Sequence, residues 1–310
     1  MASSFPESDW IWKNGEFIAW QDATLHLLST AVQFGTSVFE GIRSYHTPRG
    51  PAIFRLREHI RRLIDSATIY RLRPEYSADQ IFEACLETVR KNGLDSCYIR
   101  PMVVRGYGIA GIHAAAGPID TYVSAWSWGT YLGAEALEQG VDACTSSWSR
   151  AAPNTFPTLA KAAGHYNSSQ LMKHEAVMNG YDEAIGLGPS GLVSEGSGQN
   201  IFIVRDGVLI TPTLDGTSLA GITRDAVLRL AEDHDIEVRE QPVQRELLYT
   251  ADEAFFCGTA TEITPIRSVD RIELGAGGMG PVTRELQHAF FSLVRGESED
   301  PHGWLTLVEG

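Results

Sequence analysis

At 310 residues the chain is long enough to bury one large core or two modest ones. It is 43% hydrophobic, yet no run of about 18 apolar residues is present, which excludes a helix-spanning membrane protein. The formal net charge of -14, spread along the chain, argues against unassisted binding to nucleic acid or anionic lipid and favours a small-molecule partner. The opening MASSFPESDWIWKNGE lacks the basic start and apolar stretch of a secretory signal. Cys85, Cys97, Cys144 and Cys257 form no C-x-x-C pair, so the expectation is a cytoplasmic protein without disulfides or zinc.

In chain order, Asn14-Gly15 between two alternating apolar runs predicts a tight β-hairpin. Leu56, Ile60, Leu63, Ile64, Ala67 and Tyr70 recur at helical spacing, which puts Arg57, Glu58, His59, Arg61 and Arg62 on or beside the polar face. A second helix starts at the capping-box pattern Ser77-x-x-Gln80, buries Ile81, Phe82, Cys85, Leu86 and Val89, and stops at Gly93. CYIRPMVV reads as a buried strand. The periodicity breaks around residues 126–140, where the domain junction is expected. Beyond it come a helix near 162–178 ending at Gly180, a hairpin through Asp206-Gly207, a helix from Thr223 to about Asp233, strands in EAFFCGTATEITPIRSV, and a last helix from Thr283 to about Val294. Strands and helices interleave irregularly, which favours two α+β domains over a doubly wound parallel sheet.

Only four lysines occur. Lys13 flanks a turn, Lys91 lies in a last helical turn, and Lys173 sits beside His174 and Glu175, all ordinary solvated positions. Lys161 differs, because TLAKAAGHY surrounds it with small and apolar residues and no carboxylate. Such a setting favours the neutral amine that Schiff-base chemistry needs; the plain alternative is a lysine snorkelling from an apolar helix start.

An amine of this kind needs an aldehyde cofactor, and SLAGITRDAVLRL offers a place for a cofactor phosphate. Gly221 permits close backbone approach, and the amides of Ile222 and Thr223 lie at a helix N-terminus, unless Thr223 is simply the N-cap. Glu195, ahead of glycines and a strand, is suited to hold a pyridine nitrogen protonated. Gly258, Thr259 and Ala260 end a strand in a turn that could bind a carboxylate or phosphate. Gly106-x-Gly108-x-x-Gly111 matches a dinucleotide fingerprint, but too few residues follow before Gly117-Pro118 for the helix that motif requires. The nine histidines show no metal-ligand spacing, so no metal is expected.

Read together, FGTSVFEGIRSY, REHIRRL, YIRP, WGTYLGAEALEQG, SSWSRAAPNTFPTLAKAAGHYNSS, SEGSGQNIF, LAGITRDA, ADEAFFCGTATEITPIRSVD and GPVTRELQHAFF run nearly end to end. In this order and spacing the chain resembles the branched-chain amino acid aminotransferases, class IV pyridoxal-phosphate enzymes of the D-amino acid aminotransferase-like fold (fold type IV). The resemblance implies a small α+β domain at 1–127, an interdomain loop at 128–138 and a large α+β pseudo-barrel at 139–310 carrying the cofactor lysine. It implies that pyridoxal 5'-phosphate is bound as a Schiff base by Lys161, with Glu195 on the ring nitrogen, Tyr166 on the ring oxygen and Leu219 on the ring face. The phosphate falls to Arg62, Gly221, Ile222, Thr223 and Thr259. Tyr98, with Thr259 and Ala260, receives the α-carboxylate, and Arg100 the second carboxylate of glutamate or 2-oxoglutarate. Phe39, Trp128 and Tyr131 wall the pocket for leucine, isoleucine or valine, while Ala110, Gly111 and Ile112 come from a partner copy in a homodimer, with further assembly into hexamers left open. Phe34 stands where a tyrosine is common, and Ala110 where a bulkier methionine can stand. Amine or D-amino acid transaminases and aminodeoxychorismate lyase-like enzymes share the fold and remain alternatives.

Overall fold

The computed structural model describes residues 5–113, 115–129 and 132–309. It divides into two compact units, the first of Met1–Gly129, Ala160–Gly164 and Leu293–Gly310, the second of Thr130–Leu159 and His165–Ser292. This division differs from the expected 1–127 and 139–310 domains at Ala160–Gly164 and Leu293–Gly310. The chain returns to the first unit twice, because Lys161 O accepts from Phe39 N at 3.0 Å, Ala162 bridges Val38, and the tail strand Leu305–Leu307 pairs antiparallel along Ala52–Phe54. Lys161 accordingly groups with the first unit.

In the first unit β1 (Trp10–Lys13) and β2 (Glu16–Ala19) form the expected hairpin. Asn14 and Gly15 both take positive φ, 47° and 91°, the conformation a two-residue turn of primed type demands. After α1 (Thr30–Phe34) come β3 (Ser37–Phe39), β4 (Ile42–Thr47), β5 (Gly50–Phe54), α2 (Leu56–Ile69), α3 (Ala78–Lys91), β6 (Cys97–Arg105) and β7 (Ile119–Ser127). The sheet is antiparallel in every described pairing and runs from the tail strand through β5, β4, β6, β7, β1 and β2, with β3 also on β6. The α3 start is a full capping box, Gln80 N donating to Ser77 Oγ and Ser77 N to Gln80 Oε1, and Gly93 follows its end at φ 60°. Leu56, Ile60, Leu63 and Ala67 of α2 and Ile81, Cys85 and Val89 of α3 meet Ile42, Ile53 and Ile99 of the sheet in one core. His59 departs from its expected polar-face place. It is buried, 1% exposed.

The second unit holds α4 (Ala134–Gln139), β8 (Val141–Thr145), α5 (Tyr166–Met178), β9 (Glu183–Leu187), β10 (Val193–Gly196), β11 (Asn200–Arg205), β12 (Val208–Thr211), α6 (Ile222–Asp233), β13 (Val238–Glu240), α7 (Arg245–Thr250), β14 (Glu253–Gly258), β15 (Glu262–Val269), β16 (Ile272–Glu273) and most of α8 (Pro281–Val294). Its sheet runs β10-β9-β8-β15-β14-β11-β12-β13, with β16 on β15. Only the β8–β9, β8–β15 and β12–β13 pairings among those described are parallel, as an α+β and not a doubly wound sheet requires. The hairpin at Asp206-Gly207 forms, with φ 52° and 77°. Ile185, Ile201, Ile203, Ala254, Phe256 and Ile266 fill the core beneath it. The helix expected from 162 begins at Tyr166, after a short 3-10 turn over Ala163–His165; Lys161 precedes both, outside any helix or strand.

The two faces of α2 give a direct check on this packing. Leu63→Ala is expected to cost about 2–5 kcal/mol, whereas Ile64→Ala, one position round the helix and only partly buried, costs clearly less. Urea unfolding midpoints of the two variants measure the difference; equal losses contradict the assigned face.

Candidate active site

In the first unit the site grows from Phe39 and Glu40, at the end of β3. Phe39 N donates to Lys161 O, and Lys161 N donates to Ser66 Oγ on α2 at 3.0 Å, so backbone bonds on both sides fix the lysine's place. Its Nζ lies 5.1 Å from the Phe39 ring centroid. The Arg100 guanidinium lies 4.7 Å from the same ring, 5.2 Å from the Tyr98 ring and 5.8 Å from Trp126. Arg100 Nη2 donates to Tyr98 Oη at 3.3 Å, and its Nε is buried without a hydrogen-bond partner among the described residues. Tyr98 is buried and packs on Trp128, centroids 4.5 Å apart. A Cβ on Gly41 would come within 1.8 Å of the Tyr98 hydroxyl, so only glycine lets that phenol lie where it does.

Glu40 is wholly buried, yet compensated on both oxygens. Arg62 grips it with Nε at 2.6 Å and Nη2 at 2.8 Å, and His59 Nδ1 sits 2.7 Å from Oε2. Both partners stand one helical turn apart on α2. Burial alone would raise the Glu40 carboxyl, but Arg62 and then His59 pull it well below the ordinary carboxylate range. Burial lowers the His59 imidazole, outweighing its attraction to Glu40, with the charges of Arg62 and Lys161 adding to the effect. The arrangement is a neutral imidazole donating to a carboxylate that a bidentate arginine neutralises.

In the second unit Glu195, buried on β10, forms an ion pair with Arg150 and accepts from Asn200 Nδ2 at 3.3 Å and Leu219 N at 3.1 Å. Asn200 Nδ2 also donates to Leu219 O at 3.0 Å. Gly221 is the N-cap of α6, so Thr223 is its second residue and not its cap. A Cβ on Gly221 would fall 1.9 Å from Asn200 Oδ1, so any larger residue there displaces that amide. Ile222 and Thr223 are buried in the first turn of this twelve-residue helix, whose dipole favours an anion at that end. Arg224, next in line, pairs with Glu240 at 2.6 Å and with Pro212 O at 3.0 Å, which pins the helix start. Tyr166 opens α5, and Thr259 and Ala260 form the half-buried turn between β14 and β15.

The remaining expected site residues are scattered. Phe34 ends α1 and is 51% exposed; Ala110, Gly111 and Ile112 lie in the loop between β6 and β7, Ile112 being 89% exposed. Tyr131 lies outside the described residues. The dinucleotide-like glycines sit in that same loop, and among the described residues no helix follows Gly111 there. Lys173, expected to be solvated, instead pairs at 2.9 Å with Glu183, a buried carboxylate on β9. Glu40, His59, Ser66, Arg150 and Asn200 were not singled out in the sequence as site residues. Glu40 and His59 stand inside the quoted segments, but their roles depend on a β3–α2 contact that no local pattern announces. The cysteines do not compete as nucleophiles: burial pushes the Cys97 thiol up to about 12 and Cys144 to about 11, and raises Cys85 and Cys257 further. No cluster of metal-ligating side chains exists among the described residues.

The first unit thus holds an amine and a guanidinium on one aromatic wall, and the second a buried carboxylate and a glycine-opened helix start. The family model for class IV amino-transferases matches residues 37–269, and the chain belongs to that family. It is 54% identical over 303 residues to the branched-chain-amino-acid aminotransferase of Escherichia coli (strain K12), covering 97% of this chain and 98% of that one. A crystal structure of the Escherichia coli branched-chain amino acid aminotransferase aligns with TM-score 0.96 at 54% identity, over 98% of this chain and 100% of the other. The branched-chain amino acid aminotransferase from Thermobaculum terrenum, in its PLP-bound holo-form, aligns with TM-score 0.92 at 38% identity, over 99% and 100%.

The Glu40–His59–Arg62 cluster makes the fold sensitive to acid. Below pH about 6.5 an unfolded chain protonates the imidazole that the folded site keeps neutral, and below about 4.5 it protonates the carboxyl that the folded site keeps ionised. Stability therefore falls as pH drops through 6.5 and falls more steeply below 4.5. Thermal midpoints between pH 7.5 and 4 are expected to show this, and His59→Gln flattens the upper part of the slope; an unchanged slope between pH 6.5 and 5 contradicts the assignment.

Proposed function

We propose that this chain is a branched-chain amino acid aminotransferase that moves the amino group of L-leucine, L-isoleucine or L-valine to 2-oxoglutarate, with pyridoxal 5'-phosphate held by Lys161. The observation that carries the reading is the Phe39 ring. It brings the Lys161 amine, 5.1 Å away, and the Arg100 guanidinium, 4.7 Å away, to one aromatic side chain. That closeness supports a reading in which amine chemistry and recognition of a second carboxylate share one pocket, beside apolar rings that suit a branched side chain. The high identity to proteins of that name along nearly the whole chain supports the same conclusion.

The donor set suits the cofactor. Arg62 and the Ile222 and Thr223 end of α6 offer charge and amides to a phosphate, Thr259 adds a hydroxyl, and Gly221 keeps the helix start open. Glu195 is a buried anion suited to a protonated ring nitrogen, Tyr166 brings a phenol to the ring oxygen, and Leu219 an apolar face. When bound, the cofactor supplies an aldehyde for the lysine and an electron-withdrawing ring for the substrate's α-carbon bond. Lys161 Nζ would hold the cofactor and, as a free amine, would take the substrate's α-proton as general base and return it. Glu40 holds the Arg62 guanidinium in one orientation, a bidentate grip that a phosphate-binding arginine needs.

Tyr98, Thr259 and Ala260 receive the α-carboxylate. Arg100, whose buried Nε has no partner among the described residues, receives the distal carboxylate of glutamate or 2-oxoglutarate, and Phe39 and Trp128 line the side-chain pocket, to which Tyr131 is assigned by the resemblance alone. Leu27, Leu28, Val32, Phe34, Tyr107 and Ile112 expose an apolar surface on α1, its approach and the 106–118 loop. His26 stacks on Tyr107 at 3.9 Å, joining the two segments. Such a surface is suited to a second copy, which would deliver Ala110, Gly111 and Ile112 to the site of its neighbour. No described helix is long and apolar enough to cross a membrane, and four free, buried cysteines fit the reducing cytoplasm to which we assign the enzyme.

Lys161→Ala is expected to lower transamination of L-leucine by roughly four orders of magnitude and to abolish the absorbance of covalently held cofactor. Retention of both, or faster turnover of D-alanine than of L-leucine by the unaltered enzyme, refutes the reading. Phe34→Tyr restores a hydroxyl for the distal carboxylate, so KM for glutamate falls about two- to tenfold while that for leucine holds. A glutamate KM that does not move refutes a role for position 34.

A further inference from the structure

Arg150 is bonded at three points inside the second unit. Its backbone N–H donates to Leu187 O at 2.9 Å, its Nη2 grips Glu195 Oε1, and its Nη1 donates to Ser169 Oγ at 3.2 Å. Ser169 lies on α5 three residues after Tyr166, one helical turn along. The guanidinium is nearly buried, its side chain 12% exposed, and Nε has no hydrogen-bond partner among the described residues. A Cβ on Gly186 of β9 would come within 2.9 Å of Arg150 Cγ and 3.0 Å of Cδ, so a glycine makes room for the arginine stem. A buried cation with a cleared path and a charged partner is costly to maintain unless its placement is used.

We infer that Arg150 is a positioning residue for the reaction, a planar bridge that fixes the Glu195 carboxylate and ties it to the helix opened by Tyr166. This deepens the proposed function and rests on its assignment of Glu195 and Tyr166 to the cofactor ring. Asn200 and Leu219 N hold Glu195 Oε2, and Arg150 holds Oε1, so the carboxylate plane is set from both sides. The guanidinium fork reaches Glu195 and Ser169 at once, which a lysine's point charge does not do. With the plane set, the Glu195 carboxylate would present one fixed face to a ring nitrogen.

The test is made on holoenzyme and on apoenzyme titrated with pyridoxal 5'-phosphate. Arg150→Met is expected to raise the cofactor's Kd about tenfold or more, the worth of one charge-assisted hydrogen bond, and to move the pH at which the bound cofactor's absorbance changes by about one unit. Arg150→Lys keeps the charge and loses the fork, so it shows a smaller change in the same direction and stands in if the Met variant does not fold. Because Arg150 acts through Glu195, adding Arg150→Met to Glu195→Gln weakens binding less than about threefold beyond Glu195→Gln alone. Unchanged Kd and pH titration in both Arg150 variants, or losses that multiply in the double variant, overturn the inference. Failure of the unaltered protein to take up the cofactor overturns the proposed function instead.

Discussion

A carboxylate sealed from water has to be matched, and the first unit is arranged around that requirement at Glu40. Leaving such a charge unpaired would cost several kcal/mol, a large part of the margin of a typical fold. Arg62 and His59 meet it from adjacent turns of α2, and the residue before it, Phe39, receives the backbone carbonyl of Lys161. One compensated anion therefore registers β3 against α2 and against the short stretch that carries the lysine. Moving any of the three elements would expose a charge or strand a donor. The amine's position follows from electrostatic closure a residue away and not from contacts of its own side chain alone.

The second unit meets a similar requirement by other means. Glu195 is surrounded by an arginine, an amide side chain and a backbone N–H, and the same Asn200 that helps hold it closes over Gly221. The carboxylate and the start of α6 are thus parts of one packed cluster. A substitution at Gly221 would be felt at Glu195 through Asn200, without touching the carboxylate directly.

Elements with a strong local signature were legible from the residues: the turns at Asn14-Gly15 and Asp206-Gly207, the capping box at Ser77, and the strand from Cys97, whose near-continuous apolar run reflects burial. Lys161 stood out because only four lysines exist and the others have charged or turn neighbours. What stayed hidden depended on distant pairing. His59 read as a polar-face residue because its partner lies nineteen positions earlier. Lys173 read as solvated because Glu183, its partner, is ten residues on and buried on a strand. The helix predicted from 162 begins later because Ala162 is claimed by Val38, a tertiary bridge that overrides the helical preference of an alanine-rich stretch. Arg150 stands inside a quoted segment but no local pattern gives it a task; its partners come together only once β9, β10 and α5 are assembled.

The order in which the chain visits its two units has a consequence for biosynthesis. The second unit is inserted into the first, which opens at the N-terminus, is revisited for five residues around Lys161, and is finished only by the segment from Leu293 onward. During translation the second unit's residues emerge before the strand that edges the first sheet at β5 exists. The nascent first unit is left with an unpaired β5 edge until the tail strand is made, a template for stray strand pairing. Guarding that edge falls to whatever binds the emerging chain, and a ribosome stalled just short of the tail strand would release a protein with one finished unit and one open sheet.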